Sequence, residues 1–180
     1  WSLKDHGKNY YKYYKNKKTK SFQFKYIHDN LGSNYRITEI QSAIGIKQLN
    51  MLDSFIKKRN TRANIYKSIF KKNNDIIYTK YSKDIFHAYY KFYFYFIPKK
   101  NKFKNCRNRI LKNLNKKGIP ITTGGCAEIY KEKCFNFIKK LPNASILSNY
   151  SYCLPVDQTL NIDEIKIIGN EVLNEIKKYS

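Results

Sequence analysis

Two stretches of this sequence carry side chains whose types and spacing could do chemistry. In the first, Asn34 and Arg36 run directly into Thr38 and Gln41, which have the spacing of a capping box and predict a helix start beside an amide and a guanidinium. Backbone N–H groups and the positive end of a helix dipole favour an anion there, and a planar Arg36 fork can grip two of its oxygens. The same spacing also describes an ordinary capped helix with an exposed arginine. In the second stretch, Thr122 and Thr123 precede Gly124 and Gly125, and Cys126, Ala127, Glu128, Ile129 and Tyr130 follow. Paired glycines let a backbone turn its N–H groups toward a ligand, and the hydroxyls add donors. A plain turn is the alternative.

The elements that must position these residues belong to a chain of 180 residues, enough for one domain with a real core. A formal net charge of +23 would point to nucleic acid or an anionic surface. The charge is dispersed, however, and comes mostly from Lys, while Lys, Asn, Ile, Tyr and Phe are enriched together, as an A/T-rich coding sequence produces. No nucleic-acid partner is therefore expected, although the Lys/Tyr-rich segment from Asn9 to Lys25 could stack on a single strand and otherwise reads as a surface excursion. The four cysteines, Cys106, Cys126, Cys134 and Cys153, form no C-x-x-C pair and have no zinc-like spacing to histidine, so no metal is expected and the thiols read as reduced. No segment resembles a signal peptide, and the apolar run Tyr89 to Ile97 falls far short of the about 20 residues that cross a bilayer. A soluble, cytoplasmic protein without membrane partners is the expectation.

Apolar residues from Ile40 through Ala43, Ile44, Leu52, Phe55, Ala63 and Tyr66 to Phe70 keep helical spacing, as one long helix or two with Asp53 opening the second. Asp75 to Tyr81 and His87 to Pro98 predict strands; the latter would be aromatic on both faces and so central, covered by helices. His87 reads as a satisfied core or edge histidine. A helix from Lys104 to Lys116 stops at Gly118, a short strand covers Ile119 to Ile121, a helix runs from Pro142 to about Tyr150, and a strand spans Tyr152 to Val156. Asn161 caps the last helix, with Glu164 three residues on and Ile162, Ile165, Ile168, Val172 and Ile176 on one face. Helices and strands around one sheet predict an α/β fold.

The run from Gly32 to Leu52, G-S-N-Y-R-I-T-E-I-Q-S-A-I-G-I-K-Q-L-N-M-L, resembles the signature of the DegT/DnrJ/EryC1/StrS family of pyridoxal-phosphate sugar aminotransferases. Asp5, His6 and Gly7 match upstream; Arg59, Ala63 and Tyr66, then His87 to Tyr90, then Gly118 to Pro120 match downstream. The resemblance implies the C-terminal small domain of a fold-type I pyridoxal-phosphate transferase, aspartate aminotransferase-like, with a long helix and a small, mostly antiparallel sheet packed with helices. It divides the chain into the end of a large-domain segment, residues 1–31, and the small domain, residues 32–180. It implies that Asn34 reaches the cofactor phosphate of the other subunit of a homodimer, and that Arg36, with His6, Gly7, Thr123, Gly124 and Gly125, lies by the sugar nucleotide.

Family members carry the Schiff-base lysine and the acid that holds the pyridine nitrogen upstream of the Asp-His-Gly motif. No catalytic residue is therefore expected in this chain, which reads as truncated and inactive alone. Many members also carry Tyr-x-Pro-x-His where this sequence has Thr123 to Tyr130, which resembles a subgroup with Ser-Gly-Ser-Cys-like residues before Glu-Ile-Tyr. The activity implied is transfer of an amino group, from a donor such as glutamate, to a keto-sugar nucleotide in amino-sugar and surface-polysaccharide synthesis. A non-catalytic degraded paralogue and a basic nucleic-acid-binding module are the alternatives.

Overall fold

The computed structural model describes residues 37–99, 106–125, 128–132 and 141–180. The chain divides into two compact units, Trp1–Asn50 and Met51–Ser180, and of the first only residues 37–50 are described. The expected division between residues 31 and 32 lies outside the described residues. So do Asn34, Arg36, His6 and Gly7, and the Lys/Tyr-rich segment.

Helix α1 runs unbroken over Glu39–Phe70, so Asp53 opens no second helix. Reciprocal bonds begin it: Thr38 N–H donates to Gln41 Oε1 at 3.0 Å and Gln41 N–H to Thr38 Oγ1 at 3.3 Å. Its last turns bury Ala63, Tyr66, Ile69 and Phe70. Buried Arg62 does a different job there. Its Nε donates to Leu160 O at 2.9 Å, Nη1 to Lys58 O at 2.9 Å, and Nη2 to Gln158 O at 3.1 Å and to Leu160 O. A guanidinium whose three nitrogens all donate to carbonyls can stay out of water without an ionic partner. It thereby fixes the loop that follows the sheet onto α1.

Three antiparallel strands make the sheet in the order β1 (Ile76–Ile77), β2 (Phe92–Phe96), β3 (Ser151–Leu154). Strands are shorter than the β-rich sequence predicts. Ile119 to Ile121 form none, and the chain there meets β3 through an isolated bridge, Thr122 to Cys153. The register pairs Phe92 with Leu154 and Phe94 with Tyr152 on one face, and Tyr93 with Cys153 and Tyr95 with Ser151 on the other. Phe92, Phe94 and Phe96 enter the core with Tyr66 and Phe70; Phe94 lies 4.9 Å from the Phe70 ring and stacks on Tyr152 at 5.2 Å.

Two further helices close that core. Helix α2 (Arg107–Lys116) contributes Ile110 and Leu114 and stops where Gly118 takes φ +75°, as its sequence predicts. Helix α4 (Ile162–Lys177), preceded by the short α3 (Pro142–Ser148), buries Ile165, Ile168, Val172 and Ile176. The expected covering of β2 on both faces is met on one alone, for Tyr93 on the other is 42% exposed.

The predicted cap of α4 forms in full. Glu164 N–H donates to Asn161 Oδ1 at 2.8 Å, and Asn161 N–H to Glu164 Oε2 at 2.7 Å. Replacing Asn161 by Ala therefore removes an N-cap and costs about 1 kcal/mol, read as a lower urea midpoint with unchanged slope, whereas Asn161→Asp keeps most of the stability.

Candidate functional site

At the start of α1 the capping box that defines the helix also occupies part of its anion-binding capacity. The N–H groups of Thr38 and Gln41 are already given to side chains, and Glu39 sets a carboxylate in the first turn. Asn34 and Arg36, expected to add to this start, lie outside the described residues.

The second stretch forms a concave site. After the Thr122–Cys153 bridge the chain turns through Thr123, Gly124 and Gly125 over the outer face of the sheet. Between this turn, β2 and α3 lies a cleft of about 390 Å³. Tyr93 and Tyr95 line it from the sheet, Thr123 and Gly125 from the turn, Ala144, Leu147 and Ser148 from α3, and Ser151 from β3. All of these are uncharged. Gly124 does not offer its N–H to the cleft, as the paired-glycine argument expects, because that group donates to Thr122 Oγ1 at 3.2 Å. Its contribution is shape. Its φ is +87°, and a Cβ there would stand 2.3 Å from Cε1 of Tyr93. Only glycine lets the turn close down on the tyrosine.

Glu128 ties the turn to α3. Its Oε1 accepts from Tyr130 Oη at 2.5 Å, and its Oε2 accepts from Lys131 Nζ at 2.7 Å and lies 3.2 Å from Ser148 Oγ. The bonds from Lys131 and then Tyr130 hold the Glu128 carboxyl down at about 2. Ser148 Oγ also lies 2.8 Å from Ser145 O, so this cleft-lining hydroxyl is flanked by two acceptors.

Thus the structure places Thr123 and Gly125 in the wall of one cleft and Gly124 against Tyr93, while Asn34, Arg36, His6 and Gly7 lie outside the described residues. Tyr93, Tyr95, Ser148 and Ser151 escape the sequence reading, and Glu128 stands in it only as a neighbour of the paired glycines. For the tyrosines a signal exists: Phe92 to Phe96 alternate Phe and Tyr, which sorts a dry face from a wet one. The serines come from α3 and β3 and carry no such pattern. His87 is a satisfied histidine as expected, with Nδ1 accepting from Tyr89 N–H at 3.1 Å and its ring stacked on Tyr81 at 4.3 Å. Cys106 and Cys153 are free, and burial chiefly pushes both thiols up. Among the described residues no cluster could hold a metal, and no helix is long and apolar enough to cross a membrane.

A helix-backed antiparallel sheet with an uncharged cleft on its open face defines a small α/β domain. Its sequence matches the model of the DegT/DnrJ/EryC1/StrS aminotransferase family over residues 3–173, and the chain belongs to that family. Enzymes of this family depend on pyridoxal phosphate. The chain is similar to the UDP-4-amino-4,6-dideoxy-N-acetyl-beta-L-altrosamine transaminase of Helicobacter pylori, with 28% identity over 159 residues, 83% of this chain and 40% of that protein. It is similar to the GDP-perosamine synthase of Escherichia coli O157:H7, with 46% identity over 66 residues, 36% of this chain and 17% of that protein. Its fold matches the X-ray structure of an aminotransferase from Psychrobacter cryohalolentis with a TM-score of 0.80 and 27% identity, covering 99% of this chain and 48% of that one. The chain spans less than half the length of each of these proteins.

Two outcomes test the geometry of the cleft. Gly124→Ala loses about 1–2 kcal/mol to its left-handed backbone, and that part persists in a Tyr93→Ala background while the steric part disappears, as a double-mutant cycle in urea resolves. The second is the titration of Glu128 by side-chain carboxyl NMR. Its folded-state value lies below that of a free carboxyl near 4.3, so the clamp is complete above the ordinary carboxylate range and is lost only as pH falls toward about 2. Lys131→Met moves the midpoint upward.

Proposed function

We propose that this chain is the C-terminal, substrate-side part of a pyridoxal-phosphate-dependent aminotransferase that passes an amino group, from a donor such as glutamate, to a keto-sugar carried on a nucleoside diphosphate. The observation that carries this reading is the cleft under Thr123 and Gly125 in a member of this family. Its lining offers hydroxyls, backbone groups and two tyrosine rings, which suit the equatorial hydroxyls and the apolar C–H face of a pyranose. The relatives named for nucleotide-linked amino sugars support the same substrate class.

The cleft does not suit the cofactor itself. A phosphate monoester calls for cations or unclaimed helix N–H groups, and every described side chain that lines the cleft is uncharged. The residue implied for the cofactor phosphate is Asn34, with Arg36, His6 and Gly7 nearer the sugar nucleotide. When bound, the cofactor supplies the carbonyl that carries the amino group between donor and sugar. This chain binds and orients the sugar, and Glu128 holds Ser148 in place at the wall of the cleft. The assembly we infer is a homodimer, because Asn34 is assigned to the other subunit's cofactor, and its setting is cytoplasmic amino-sugar synthesis for surface polysaccharide.

In a full-length enzyme joining this segment to a cofactor-binding half, Ser148→Ala and Tyr95→Ala raise KM for the sugar nucleotide about tenfold each, the loss of about one hydrogen bond or one stacking contact. They leave cofactor absorbance unchanged. If KM and kcat keep their original values in both variants, the cleft is not the sugar site.

A further inference from the structure

At the end of β2 nearer the preceding loop lies a second cleft, of about 290 Å³, that the sugar reading leaves unused. Tyr78, Tyr81, His87, Tyr90, Lys91 and Tyr93 are among its walls, and Tyr93 also lines the Thr123 cleft. The two hollows therefore share Tyr93 as a wall.

The loop that builds this second cleft is fixed in an uncommon conformation. Tyr89 has φ +47°, in a region that aromatic residues seldom occupy. Its N–H is held by His87 Nδ1, its ring is buried, and Lys67 Nζ sits 5.1 Å above that ring. From α1, Asn60 Nδ2 donates to Ile56 O at 3.0 Å and to His87 O at 2.9 Å, locking the loop to the helix. With Nδ1 accepting, the neutral His87 ring carries its proton on Nε2, so an imidazole donor belongs to this cleft. Strain held in place by buried rings and cross-links marks a surface whose shape is the point.

Its chemistry is aromatic with a cation beside it. Tyr90 is 77% exposed, so its ring is open to an incoming partner. The Lys91 ammonium stands 5.5 Å from its centroid. Lys91 lines the aromatic hollow two residues before Tyr93, the residue that both hollows share. A positive charge thus belongs to the aromatic hollow beside that shared wall.

We infer that the aromatic cleft takes the planar base of a nucleoside diphosphate whose sugar lies in the Thr123 cleft, with Lys91 at the diphosphate between them. This rests on the sugar reading of the Thr123 cleft. Recognition is by stacking, which every base can satisfy, so pyrimidine and purine diphosphates are both accepted. Lys91 supplies attraction that salt screens.

The test titrates the full-length enzyme that joins this segment to a cofactor-binding half with UDP, GDP and UDP-N-acetylglucosamine, followed by calorimetry and amide NMR. Both free diphosphates bind. Tyr90→Ala weakens them and the sugar nucleotide about tenfold, and Tyr90→Phe restores the loss. Lys91→Gln weakens all three and flattens their dependence on salt. Ser148→Ala weakens the sugar nucleotide alone. Near-UV circular dichroism identical to the parent shows that the exposed Tyr90 and Lys91 variants keep the fold. If the sugar nucleotide binds with the Ser148 dependence but the diphosphates do not bind, or bind equally well to Tyr90→Ala and Lys91→Gln, the base assignment is overturned and the sugar site stands. If the sugar nucleotide fails to bind the parent chain, the sugar reading is overturned and the base assignment with it.

Discussion

One constraint shapes this domain more than any other: the side chains of a β-strand alternate, so that β2 must send successive residues to opposite sides. In Phe92 to Phe96 that alternation coincides with a change of chemistry, phenylalanine to one side and tyrosine to the other. The phenylalanines have nothing to hydrogen-bond and go into the core against Tyr66, Phe70 and Tyr152. Each such ring, fully buried, contributes about 1.5–3 kcal/mol. The tyrosines keep their hydroxyls near water and become the floor of the binding surface. A register slip of one residue would exchange the two sides, placing phenols in the core and phenyl rings in the cleft.

The helices enforce that register from the dry side. Helix α1 brings Tyr66, whose Oη donates to Pro155 O at 3.0 Å just beyond β3. Arg62, one turn earlier, gives its donors to the carbonyls of Gln158 and Leu160, so that α1 holds the exit from β3 in two places. Burial raises the Tyr66 phenol well above its ordinary value, so it remains a neutral donor. Helix α4 begins where these bonds end, at the Asn161 cap, and its apolar stripe completes the core. The polar side of the sheet is left to a short helix and one turn, and a concavity results.

Helix-forming signals were legible because they are local. Both capping boxes, the Gly118 stop and the apolar stripe of α4 depend on residues within about four positions of each other, and they stand in the structure except that Ile162, first of the predicted stripe, is exposed. The unbroken α1 was harder to foresee, since Asp53 has the chemistry of a start and only the packing of the later turns shows that the helix passes through it. Strand lengths were overestimated because β-branched and aromatic residues describe a fit to a pleated, half-buried surface rather than a backbone state. Thr123, Gly124 and Gly125 announced a site through glycine pairing, although Gly124 acts by close approach to Tyr93 instead of by its N–H. Ser148 and Ser151 could not be read at all: they join the turn only through pairing across the sheet and the placement of α3, contacts between residues far apart in the chain. The family signature supplied what local physics lacked.

Ser148 itself has a single proton and two oxygen atoms competing for it, Ser145 O within the helix and Glu128 Oε2 across the turn. Whichever of them receives it, what remains for an incoming molecule is a lone pair. That wall of the hollow consequently distinguishes ligands by polarity: an amine or alcohol finds a mate there, and a bare carbonyl oxygen meets electron density like its own.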